Sequence, residues 1–348
     1  MNVLFPLFAV IIWSVNAVVS KISATAIDPA AISFYRWLLA LLTLSPFLLL
    51  GVVRNWQAIR VYWWKLMLLG MLGMVLYQSL AYYAAHSVSA LFMGILSSLI
   101  PLLTVLISIV LLRVAPTVGI ALGSLLSLGG LVWLISAGNP VQLLQHGIGK
   151  GELMMLGASA SYALYGVLTK RWAIQLPNWQ SLYMQIVFGV VLLLPGFLMT
   201  PDVQLTAQNI PLVLFAGIPA SILAPYLWIQ GVMRLGANTA SIFMNLTPVF
   251  TAIIAVVFLH EQLHSYHLIG GGITLAGVVL AQRLRSPLRR NLDLAGHIPN
   301  NKTVDSGKTS GRTPSGYKYV YPNNSSGRKM ATASVPRRLL ILRSTTSQ

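Results

Sequence analysis

The sequence predicts an all-α integral membrane protein of ten transmembrane helices, arranged as two inverted five-helix repeats. Composition is the first reason: 56% of the residues are hydrophobic and 8% are charged, with a mean hydropathy of +0.75. A soluble domain carries about 25% charged residues, so this chain cannot cover a water-facing surface. The second reason is a succession of apolar stretches close to the roughly 20 residues that cross a bilayer. The third is that the later stretches restate the earlier ones.

Taken in order, the first span covers about residues 2 to 20. Its MNVLFPLFAVIIWSVNAVVS lacks the basic n-region and small-residue cleavage site of a secretion signal and reads as a retained helix. Spans two to five follow at 30 to 51, 65 to 86, 89 to 112 and 117 to 137. Spans six to ten follow at 151 to 170, 180 to 199, 210 to 233, 236 to 259 and 266 to 283. Short links make sequential neighbours antiparallel hairpins. The resulting parts are a first repeat at 1–138, an external connection at 139–149, a second repeat at 150–284 and a basic cytoplasmic tail at 285–348, expected to be disordered.

Orientation follows from the basic residues between spans. With a cytoplasmic N-terminus, the inward connections hold Arg54, Arg60, Lys65, Arg113, Lys170, Arg171 and Arg234, and the outward ones hold Lys21 and Lys150. Both termini are therefore expected inside.

The repeat is read by sliding the chain on itself. Ala90, Ile95, Leu99, Pro101, Thr104, Ile107, Val110 and Leu112 fall on Ala237, Ile242, Leu246, Pro248, Thr251, Ile254, Val257 and Leu259. At a slightly larger offset Lys21 falls on Lys170, Pro46 on Pro195 and Trp13 on Tyr162. Because five is odd, the second set enters the bilayer from the opposite side, a topology that supports alternating access to a midplane site.

Several function classes are excluded or disfavoured. The net charge of +17 collects mainly from Arg283 onward, in a tail broken by Gly, Ser, Asn and Pro, so no basic surface for nucleic acid is expected. The absence of cysteine removes thiolate nucleophiles, disulfides and Cys-ligated metals. No metal and no cofactor are expected. HEQLH matches the zinc pattern HExxH with His260, Glu261 and His264, but it straddles a predicted turn, whereas that chemistry needs one continuous helix. These residues read as a charge cluster closing the outer turn or as a proton-sensitive gate.

The candidate cavity residues are the polar and aromatic side chains set inside the spans: Trp13, Asn16, Arg36, Tyr77, Gln78, Tyr82, Tyr162, Tyr165, Trp228, Gln230 and Asn245. Tyr and Trp offer flat apolar contact with one polar group. Arg36 lies about 10 Å below the outer end of span two at 1.5 Å per residue, where structural pairing, substrate or gate contact, and snorkelling are all open. Its repeat equivalent is Gln185, which keeps hydrogen bonding and removes the charge. Asn245 must face the interior, either to bond another helix or to line the path. Pro101 and Pro248 each remove a backbone donor and are expected to bend spans four and nine. No Asp or Glu lies deep in a span to carry ion coupling. Gly119, Gly123 and Ser127, with GGGITLAG in span ten, give small faces that favour close packing inside the molecule over a homodimer surface.

The early Trp in IIWSVNAVVSK, the FYRW of span two and the run GVMRLGANTASIFMNLTPVFTAIIAVVFLHEQL, with Ala237, Ala240, Pro248 and Glu261 in order, resemble the drug/metabolite transporter superfamily and within it the EamA-type ten-helix exporters. The resemblance covers about residues 1 to 284. It implies a basket around a central cavity lined by spans one, three, four, six, eight and nine. It also implies export of amino acids, other metabolites or toxic organic compounds. The family's Glu after span nine falls on Glu261, while its first-half counterpart falls on Val114, so that acid is missing here.

The expected function is therefore export of a small amphipathic metabolite, with amino acids foremost, and no covalent chemistry. A multidrug exporter of the same fold, or a non-transporting membrane receptor or scaffold, are the alternatives. The expected partners are a small-molecule solute and the lipid bilayer, with the chain a monomer or homodimer.

Overall fold

Residues 28 to 30 illustrate how the helices begin: Asp28 accepts from the Ala30 N–H at 2.7 Å and Pro29 occupies the first turn, so a donor is satisfied where the chain turns back into the bilayer. The computed structural model describes residues 2–113, 117–141, 147–236, 240 and 243–284. Val114, Ala237 and the tail from 285 lie outside these residues.

The helices are α1 (Leu4–Ser23), α2 (Pro29–Arg54), α3 (Trp63–Ala84), α4 (Ala90–Leu111), α5 (Val118–Ile135), α6 (Lys150–Trp172), α7 (Asn178–Met199), α8 (Ile210–Leu235), α9 (Thr247–Leu259) and α10 (Ser265–Arg283). A one-turn helix, Trp56–Arg60, precedes α3 and has no counterpart in the sequence expectation. Among the described residues, seven helices are long and apolar enough to cross a membrane: α1, α2, α3, α4, α5, α7 and α8. Sixth, ninth and tenth segments also form helices, but α6 and α10 carry more polar and glycine residues and α9 is 13 residues long. Phe47 and Met199, 79% and 85% exposed, typify an outer surface of bare Leu, Val, Phe and Met side chains. Such a surface is stable against acyl chains and not against water. The molecule is a multi-pass membrane protein.

Helices of the first half pack on helices of the second. α1 lies on α8 and α9, and α6 on α3 and α4; α2 lies on α8, and α7 on α3; α4 crosses α9, α2 packs on α7 and α5 on α10. The last pair is the closest. A Cβ at Gly130 would lie 2.5 Å from Thr274 N, and one at Gly277 would lie 2.5 Å from Gly123 O, so the two backbones touch. Ser127 Oγ donates to Thr274 O at 2.9 Å and Thr274 Oγ1 to Ser127 O at 3.5 Å, each pair 147 residues apart. The small-residue faces thus pair with one another inside the chain.

Two further features differ from the sequence expectation. α3 and α8 each contain π-helical turns, at Met71–Leu76 and Ala216–Leu223. Such turns free carbonyls from the α pattern, and side chains take them up: Trp37 Nε1 donates to Met74 O at 2.8 Å, Ser161 Oγ to Leu72 O at 2.8 Å and Trp13 Nε1 to Ala220 O at 3.3 Å.

The second difference concerns the prolines. Pro101 and Pro248 were expected to bend continuous helices, but each instead sits in the first turn of a new helical segment, Ile100–Leu111 and Thr247–Leu259. The chain turns just before them, at Ser98–Leu99 and Asn245–Leu246, because a proline needs no partner for its nitrogen in a first turn. Hydroxyls satisfy the carbonyls near these turns: Ser98 Oγ donates to Ile95 O at 2.6 Å, Ser159 Oγ to Leu96 O at 3.4 Å and Ser14 Oγ to Thr247 O at 3.2 Å.

Thr251, on α9, is fully buried with its hydroxyl unpartnered, against Gly94 on α4. Thr251→Val keeps the shape and removes the orphaned hydroxyl, so it should raise stability by up to about 1 kcal/mol. An unfolding midpoint in detergent that falls instead would show that the hydroxyl has a partner in solution.

Candidate functional site

Arg36 projects from α2 into the bundle and is 4% exposed. Its Nε donates to Ser221 Oγ at 2.7 Å, and Nη1 donates to Asn16 Oδ1 at 3.2 Å and to Tyr82 Oη at 3.3 Å. The guanidinium carbon lies 5.3 Å from the Trp37 ring centroid. One cation therefore ties α1, α2, α3 and α8 together. Ser221 is held for this by the π turn, where its own hydroxyl donates to Ala216 O at 2.7 Å, five residues back.

Snorkelling is thereby excluded, since the head group is enclosed by polar side chains from three other helices. Gln78, one helical turn from Tyr82 on the same face of α3, is 3% exposed and forms no hydrogen bond to a described residue. Gln185, at the equivalent place on α7, is likewise buried; its Nε2 donates to Ser181 Oγ at 3.1 Å and its Oε1 has no partner among the described residues.

Aromatic rings flank this network in two groups. Trp13 on α1 meets Trp228 on α8 at 5.8 Å between centroids. Tyr77 on α3 meets Tyr162 on α6 at 4.6 Å, and Tyr162 meets Tyr165 at 5.4 Å. Each group joins a first-half helix to a second-half one.

Other candidates go elsewhere. Gln230 accepts from Arg234 Nη2 at 3.4 Å, one turn along α8, and does not join the Arg36 network. Asn245 lies half-buried at the turn before α9 and makes no hydrogen bond to a described residue. Ser221 was not foreseen; a lone hydroxyl between Pro219 and Pro225 in an apolar span was the available signal.

A second cluster closes the end of the bundle that carries the α1–α2, α3–α4 and α9–α10 connections. Glu261 accepts from the Ala90 N–H at 2.7 Å through Oε1 and from the Leu91 N–H at 3.0 Å through Oε2, capping α4. Ser89 Oγ accepts from Phe92 N at 3.1 Å. Lys21 Nζ, from the last turn of α1, donates to Ala85 O at 2.7 Å, just past the end of α3. A carboxylate thus meets a helix N-terminus and an ammonium a helix C-terminus, both as the helix dipoles favour.

His260 ends α9 in the left-handed conformation at φ 53, and residues 260 to 264 are not helical, so His260 and His264 cannot share one helical face. His264 caps α10, its N–H donating to His267 Nδ1 at 3.2 Å. No group of His, Asp or Glu among the described residues is placed to hold a metal.

A lipid-facing bundle whose buried cation and unpaired amides gather where its two halves meet has the make-up of a solute transporter. The chain belongs to the EamA-like transporter family, which matches residues 1–136 and 149–282. It is similar to an uncharacterized transporter of Archaeoglobus fulgidus, 25% identical over 276 residues, or 78% of this chain and 93% of that protein. It is also similar to Protein PecM of Dickeya dadantii, 26% identical over 242 residues, or 65% of this chain and 76% of that protein. A solved crystal structure superposes at a TM-score of 0.53 with 20% identity, covering 85% of this chain and 99% of the other, a likeness of fold alone. The protein is a membrane transporter and not an enzyme.

Proposed function

We propose that the protein exports small metabolites, amino acids or related amphipathic compounds, across the bacterial inner membrane by alternating access. Ten crossings with both termini cytoplasmic would form two inverted five-helix repeats, residues 1–138 and 150–284, that rock about a shared site. Several features support the repeat. The helix pairs exchange with one another when each half is read for the other, and the Ser127–Thr274 contacts are reciprocal, as a two-fold axis requires. The π turns fall at corresponding depths in α3 and α8, and Arg113 and His260, ending α4 and α9, both have positive φ.

The observation that carries the transport reading is the buried Arg36–Asn16–Tyr82–Ser221 network, which bridges the two halves and gives a polar solute a place to exchange hydrogen bonds inside the bilayer. Asn245 and the rings of Trp13, Trp228, Tyr77, Tyr162 and Tyr165 are the further contact candidates. The Glu261 and Lys21 ties support a closed outer gate. Uptake of radiolabelled amino acids by inside-out vesicles tests the proposal. Flux above that of empty vesicles, reduced at least about tenfold by Arg36→Gln and measurably by Asn245→Ala, is the expected outcome.

The predominance of rings over polar groups favours a second reading, export of largely apolar toxic compounds. In that case organic cations or neutral drugs would be carried and amino acids would not. A correctly folded protein with no flux of either class would leave a scaffold role.

A further inference from the structure

We infer that the Arg36 network is a binding site for a single carboxylate, so that the transported solutes are small monocarboxylates with an apolar body, read by their acid group and not by an amine. This rests on the transport reading above and narrows it.

Three observations converge. First, Arg36 is 4% exposed and its guanidinium faces only neutral acceptors: a hydroxyl, an amide oxygen and a phenol. Second, no carboxylate of the described chain is available to it. Asp28 caps α2, Asp202 accepts from Gln204 N, Glu261 caps α4 and Glu152 lies in the first turn of α6. The other two acids, Asp293 and Asp305, are in the tail. Third, donors remain unused beside the charge. Arg36 Nη2 has no acceptor among the described residues, and the Gln78 amide, one turn from Tyr82, has no partner there either.

Removing a cation from water without a counter-ion is costly, and the low-dielectric surroundings that impose the cost also strengthen attraction to an incoming anion. Arg is the side chain whose planar fork matches a carboxylate. The Nη1 bonds, at 3.2 and 3.3 Å, are longer than the 2.7 Å bond at Nε. A carboxylate would therefore take the Nη1–Nη2 edge, replacing one of the long bonds while Ser221 keeps Nε in place.

The charge count sets the class. Arg36 is the one basic residue deep in a described span, the others lying at helix ends or outside the helices, and Lys21 is committed to Ala85 O. One positive charge balances a monoanion and leaves a phosphate dianion half-neutralised. An ammonium finds no carboxylate at this depth. The ring groups Trp13–Trp228 and Tyr77–Tyr162–Tyr165 offer flat apolar surface for the rest of the solute.

The test titrates the purified full chain in detergent with four probes sharing one ring: phenylacetate, L-phenylalanine, phenylacetamide and phenethylamine, followed by tryptophan fluorescence. The two carboxylates are expected to bind at least about tenfold more tightly than the amide and the amine. Arg36→Gln should remove that preference, and Arg36→Lys should retain part of it. Melting curves of both variants identify misfolding, and Gln78→Leu, which leaves the cation in place, should weaken carboxylate binding severalfold. Binding of phenethylamine or phenylacetamide as tight as that of phenylacetate, no carboxylate binding at all, or a preference unchanged in a folded Arg36→Gln protein would each overturn the inference. Carboxylate binding without flux in proteoliposomes would instead overturn transport and leave the site standing; flux of the amine alone would do the reverse.

Discussion

Replacing Glu261 by alanine should release the α3–α4 hairpin from the α9–α10 turn and lower stability by about 2 kcal/mol, as charge-assisted hydrogen bonds to a helix N-terminus are worth about 1.5 to 3 kcal/mol. The carboxylate holds the Ala90 and Leu91 N–H groups at 2.7 and 3.0 Å, and without it both donors lose their acceptor at a helix start enclosed by other helices. Glu261→Gln keeps one acceptor and should cost about half as much. The melting temperature in detergent reads the first effect. The second is an opening of this end of the bundle. Since the chain has no cysteine, Ser87→Cys, at an exposed position on the α3–α4 turn, reports alone. Its labelling should quicken in the Glu261→Ala background. Unchanged melting and unchanged labelling together would mean that the contact is ornamental.

The larger loss is expected at the α5–α10 crossing. Gly123→Leu or Gly277→Leu would put a side chain where Gly277 O and Gly123 O already touch the facing helix. Overpacking costs about 1 to 3 kcal/mol where neighbours can shift, and here the neighbours are main-chain atoms that cannot. Both variants should fail to accumulate as folded, monodisperse protein. Gly129→Leu, which meets no atom within 4 Å, is the control and should behave as wild type. A Gly277→Leu protein with normal yield and melting would disprove the tight crossing.

The helices were legible, seven of them long and apolar enough to cross, because a bilayer leaves little choice: backbone polar groups must be satisfied within each crossing, so long apolar stretches become helices. Proline was legible as a disruption but not as a start. The local pattern around Pro101 and Pro248 does not distinguish a kink from a first turn, which depends on whether Ser159 and Ser14 on neighbouring helices supply hydroxyls.

Arg36, Asn16 and Tyr82 stood out as polar groups in apolar surroundings and do meet one another, while Gln230 looked the same and pairs with Arg234 instead. Composition marks which groups need partners; only the fold selects them. Glu261 was marked as an outer-turn residue, yet its partners are backbone N–H groups 170 and 171 residues away, which no side-chain pattern can announce. The π turns left no trace because nothing in the hydropathy of 71–76 or 216–223 separates them from ordinary helix.

Those turns carry one consequence for how the molecule can move. Passing from a π turn to an α turn takes one residue out of the coil, and the part of the helix beyond it swivels by about 100° while hardly changing its length. Ser221 sits on one such swivel, and Tyr82 lies beyond the other. A quarter-turn there would carry the hydroxyl or the phenol away from the guanidinium.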